Sequence, residues 1–78
     1  MTETIVQGWT ESTVPLKPGR QRDVKYWVYR NQSGLFLEIR NPDESPIHTL
    51  ELPEGMKLER SSYEVLLRYV LLDLVAAA

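Results

Sequence analysis

Apolar and polar residues alternate along much of the first two thirds of the chain, then apolar residues crowd together near its end. The alternation is clearest in residues 24–30, VKYWVYR, and 35–40, LFLEIR. A period of two predicts strands whose neighbouring side chains point to opposite faces. Between them, Asn31-Gln32-Ser33-Gly34 is turn sequence: Asn and Ser make local side-chain turns and Gly accepts positive φ. Residues 4–10 predict a first strand, with a bulge expected at Gly8. Residues 47–52 predict a fourth, bounded by Asn41-Pro42-Asp43 and Ser45-Pro46 before it and Pro53-Glu54-Gly55 after it. Residues 11–23 hold Pro15, Pro18 and Gly19 and alternate poorly, so they read as a mobile loop turning near Pro18-Gly19.

The crowded end predicts a helix over residues 62–75. Ser61 and Glu64 have the spacing of a capping box, in which each side chain satisfies a backbone N–H near the helix start. Glu64 and Arg68, four apart, are placed to pair. The order β-β-β-β-α makes this an α+β chain: a four-stranded antiparallel meander sheet packed by one C-terminal helix, forming a single small domain over residues 1–78. One helix covers one face of such a sheet and leaves the other open.

A hairpin closed by Asn31–Gly34 sets Arg30 against Leu35, Tyr29 against Phe36 and Trp27 against Glu38. Val24, Tyr26, Val28, Leu35, Leu37 and Ile39 then share the face that the helix covers. Lys25, Trp27, Tyr29, Phe36, Glu38 and Arg40 share the other face; Lys25, Trp27, Tyr29, Phe36 and Arg40 form a candidate partner surface there, with Arg20 and Arg22 in the preceding loop as electrostatic support. Three readings fit that face. The N-terminal strand or the 11–23 loop covers it, with Trp9 packing there; or it binds a protein, since aromatics and Arg are enriched at hot spots; or bases of a single-stranded nucleic acid stack on its rings while Lys and Arg track the phosphates.

Between residues 63 and 75 only Glu64, Arg68 and Asp73 are charged, so the helix is apolar nearly all round. A helix of that kind is buried on every side, and one sheet covers only one side. Leu67, Val70, Leu71 and Leu74 are therefore expected to supply a self-association surface, most simply in a two-fold homodimer.

Size and charge sharpen this picture. A chain of 78 residues buries only about 60% of its unfolded surface, and partners commonly supply the missing burial. The chain contains no cysteine and a single histidine, which leaves disulfides, thiolate sites and His-cluster metal sites out of account. Absence of cysteine and of a secretory signal in MTETIVQGWT fits a cytoplasmic protein. Arg68 and Asp73 interrupt the apolar end, which is shorter than a membrane span. The formal net charge is −2. Residues 17–40 carry six cations against two carboxylates, and residues 41–78 three against seven, a polarity suited to steering a partner.

Catalytic signals are weak. His48, on the same side as Leu50 and Leu52, reads as a structural histidine turned to the core. Asp43, Glu44, Glu51 and Glu54 read as solvated acids, and Ser61 and Ser62 as capping residues. The nucleophile-elbow, phosphate-loop and zinc-protease motifs do not occur. No catalytic residue, cofactor or metal is expected.

The meander, the LFLEIR strand and the C-terminal helix resemble, over residues 24–75, the single-strand-binding transcriptional coactivator family. The resemblance implies a dimer that binds single strands on a β surface. Where that pattern has a basic, glycine-containing stretch after the strand, this chain has acidic NPDESPIHTLEL, which counts against nucleic-acid binding. The sequence as a whole predicts a non-enzymatic adaptor, regulator or inhibitor that binds a protein partner, itself or another. A single-stranded DNA or RNA binder using the same face is the alternative.

Overall fold

The computed structural model describes residues 3–77. Four strands, β1 (Thr4–Lys17), β2 (Arg20–Asn31), β3 (Gly34–Arg40) and β4 (Pro46–Glu51), precede one helix, α1 (Arg60–Ala77). The strands form one antiparallel sheet in the order β1-β2-β3-β4. This is the predicted α+β meander with its C-terminal helix.

The β2–β3 register is the expected one, with Tyr29 opposite Phe36 and Trp27 opposite Glu38. Gln32 and Ser33 form the tip of the turn, and the Ser33 N–H donates to Asn31 Oδ1 at 2.8 Å. Gly34 follows at φ 136°, a conformation that side chains disfavour.

Residues 11–23 correct the sequence reading. They are not a loop: β1 runs to Lys17 and β2 begins at Arg20, so only Pro18 and Gly19 turn. Ser12 and Val14 point inward and are buried, whereas Glu11, Thr13 and Pro15 are exposed. Polar residues at inward positions, Ser12 and Arg22, break the apolar–polar alternation that marks a strand. Pro15 lies on an edge strand, the place in a sheet where proline is tolerated. Gly19 supplies the positive φ, 77°, that the turn requires.

Register shifts between Ile5 and Gln7 and between Gln7 and Thr10 insert one extra residue each in β1. Gly8 falls in the second, as expected of a bulge. Ile5 then lies across from Tyr29, while Gly8 and Trp9 share the place opposite Trp27.

The core lies between the sheet and α1. Val24, Tyr26, Val28, Leu35, Leu37 and Ile39 supply the sheet side, and Tyr63, Leu67 and Leu71 the helix side. Tyr63, Leu67 and Leu71 recur every four residues, which keeps them on one helix face. This overturns part of the self-association expectation: Leu67 and Leu71 have no exposed surface and belong to the core, while Val70 is half-buried against it. Of the four, only Leu74 is exposed, at 38%.

The helix packs over β1, away from β4. His48 accordingly departs from expectation. Its register partner Ile39 is fully buried, yet His48 itself is exposed on the edge strand. The helix starts at Arg60, two residues before its predicted start, with the Ser62 and Tyr63 N–H groups donating to the Glu59 carbonyl. Glu64 pairs with Arg60 Nε at 3.5 Å rather than completing a capping box with Ser61 or meeting Arg68.

Candidate functional site: the open sheet face

The sheet face turned away from α1 carries a continuous aromatic row. Trp9 of β1 stacks on Trp27 of β2 with centroids 5.4 Å apart, Trp27 on Tyr29 at 4.5 Å, and Tyr29 on Phe36 of β3 at 5.7 Å. The planes are tilted by 22°, 30° and 25° respectively. Such offset pairs contribute about 0.5–1.5 kcal/mol each beyond area burial. Trp27, Tyr29 and Phe36 are half-buried and Trp9 is 45% exposed. Trp9 thus packs on this face, as the sequence reading has it for the N-terminal strand, and lengthens the row while leaving it partly open.

Charged side chains frame one end of the row. Glu38, directly opposite Trp27, accepts from Trp27 Nε1 at 2.6 Å through one carboxylate oxygen and from Arg40 Nε at 3.0 Å through the other. Lys25 Nζ lies 5.4 Å and the Arg40 guanidinium 5.1 Å from the Trp9 ring centroid, both within cation–π range. Glu44 lies 3.4 Å from Lys25 Nζ and 3.7 Å from Arg40 Nη1. It reaches them from a left-handed backbone conformation, φ 73°, which is unfavourable for a residue with a Cβ.

Lys25, Trp27, Tyr29, Phe36 and Arg40 are therefore brought together as the sequence predicts. Arg20 and Arg22 are not. Arg20 sits beside the hairpin turn opposite Lys17. Arg22 falls in register with Val14 on the helix-bearing side and donates to Asn41 Oδ1 at 2.9 Å. Their expected electrostatic support is lost because the segment holding them is a strand, whose alternation turns Arg22 away.

Glu38 lies on this face where the hairpin register predicts it. Glu44, which fixes the two cations, is not legible as a member in sequence, and Trp9 joins the row through its stacking on Trp27, for which the tryptophans in TIVQGWT and KYWVYR are the available signal.

The local charge also differs from the basic face anticipated. Glu11, Asp23 and Glu51 lie on this face by register, and Glu38 and Glu44 complete a set of five carboxylates against two cations. Burial pushes the Tyr29 hydroxyl pKa up, and the nearby Glu38 and Glu3 carboxylates push it the same way. No family model, no curated protein and no solved structure matches the chain. The site therefore stands on its geometry alone. Among the described residues no helix is long and apolar enough to cross a membrane.

Proposed function

We propose that this chain acts by binding rather than catalysis, as an adaptor, regulator or inhibitor that docks a protein partner on its open sheet face. The row Trp9–Trp27–Tyr29–Phe36 carries the proposal. It spans three strands and is stacked in place before any partner arrives, which lowers the ordering cost of association.

The chemistry favours a protein over a nucleic acid. Overlapping rings turn much of their π-faces toward one another, and Lys25 and Arg40 lie over Trp9. Ring edges and apolar rims remain, which suit side-chain packing better than base stacking. The carboxylate excess repels phosphate and favours a partner segment that mixes apolar residues with lysine or arginine.

The chain's two tryptophans both lie in the row, so intrinsic fluorescence reports on its occupancy. A Lys/Leu peptide, a Glu/Leu peptide of equal length and single-stranded oligothymidylate form the test set. The Lys/Leu peptide is expected to shift the emission, and Tyr29→Ala with Phe36→Ala to abolish the shift. A response to oligothymidylate that collapses steeply with added salt would instead support nucleic-acid binding.

A further inference from the structure

The outer side of α1 is built differently from its buried side. Val65 and Tyr69 are 56% and 70% exposed, and half-buried Leu72 continues their line. Their spacing of four and then three residues keeps them on one stripe. At 100° per residue that stripe points away from Leu67 and hence from the sheet. Arg68 borders it and has no ion-pair partner among the described residues, while Glu64 lies one turn earlier on the same border.

We propose that this stripe pairs with the same stripe of a second copy, the two helices running antiparallel about a two-fold axis. The border charges select that arrangement. An antiparallel two-fold operation sets like borders side by side, so Arg68 of each copy meets Glu64 of the other, twice over. With the axis at the level of Leu67, Val65 lies opposite Tyr69 of the second copy. Arg68 and that copy's Glu64 are then offset by about 3 Å along the helices, given a rise of about 1.5 Å per residue. A parallel pair instead juxtaposes opposite borders and leaves Glu64 and Arg68 apart. Glu64 is only loosely held by Arg60, at 3.5 Å and with 45% of its side chain exposed, so it remains free to accept a second cation. One helix pair makes a small interface, so the dimer dissociates on dilution.

The surface is separate from the aromatic row, and its test is independent of the proposed docking function. Sedimentation velocity across a dilution series is expected to show a reversible dimer. Tyr69→Glu should leave only monomer. Glu64→Arg and Arg68→Glu should each weaken the dimer roughly tenfold, and the double variant Glu64→Arg/Arg68→Glu should regain it by restoring the opposite charges. Circular dichroism checks that each variant retains its helix. A monomer at every concentration overturns the proposal. So does a dimer indifferent to Tyr69→Glu, or a double variant no tighter than the single ones. Loss of the dimer in Tyr29→Ala with Phe36→Ala would assign self-association to the sheet face and overturn it equally.

Discussion

At the scale of single residues, two tyrosines in the core stand out. Tyr26 and Tyr63 meet edge to face at a centroid distance of 6.0 Å. Their hydroxyls are buried without a hydrogen-bond partner among the described residues. Thr10 faces Tyr26 in the ladder, but its hydroxyl donates to the Gly8 carbonyl and accepts from Gln7 Nε2. Burying an unpaired hydroxyl costs about 1–3 kcal/mol, so the rings stabilise the core while their oxygens weaken it. Tyr63→Phe keeps the ring contact and removes the orphan oxygen. Urea denaturation is expected to show unchanged or higher stability, by up to about 1 kcal/mol. A loss of 2 kcal/mol or more, on the scale of breaking a buried polar interaction, would mean that the hydroxyl has a partner.

At the scale of elements, α1 has two apolar sides, one packed in the core and one facing water. Leu67→Ala opens a cavity against the sheet and is expected to lower the unfolding free energy by about 2–5 kcal/mol. Val65→Ala, on the outer side, should change it by no more than about 0.5 kcal/mol at dilutions where the chain is monomeric. Equal effects would place the helix differently on the sheet. Sequence alone could not assign the two sides, because a helix that is apolar nearly all round offers no contrast from which to read its phase. The β2–β3 hairpin was legible for the opposite reason. Val24, Tyr26 and Val28 share one buried face with Leu35, Leu37 and Ile39, and a slip of one residue would expose one strand's set. That density also made Lys25, Trp27, Tyr29, Phe36 and Arg40 readable as one surface. The outer half of the β1–β2 hairpin was illegible because Ser12 and Arg22 stand at inward positions and break the alternation, while Pro15, Pro18 and Gly19 read as loop. The sign of the surface charge was hidden too: Glu11, Glu44 and Glu51 come from segments that only the ladder and the turn after β3 bring near.

At the scale of the whole molecule, stability should depend on alkaline pH in a defined direction. Burial pushes the pKa of Tyr26, Tyr29 and Tyr63 upward, and carboxylates add to the push at Tyr29. Above about pH 10, where an unfolded tyrosine ionises, the unfolded chain binds fewer protons than the folded one. Stability is therefore fully present below that pH and declines as pH rises beyond it. Circular dichroism melts at increasing pH should show a falling Tm from about pH 10 upward. A Tm independent of pH there would mean that these hydroxyls ionise as easily folded as unfolded.

The two apolar surfaces lie on opposite sides of a thin molecule, with the sheet and one helix between them. Two copies joined along their helices hold their aromatic rows back to back, facing outward. Such a pair, if the row docks a partner as proposed, would be a bivalent connector. A target carrying two docking segments could be clamped with an avidity well above that of either contact, provided the span between the segments matches the separation of the rows. Separate targets would be bridged instead, and the bridge would form only at concentrations where the helices pair.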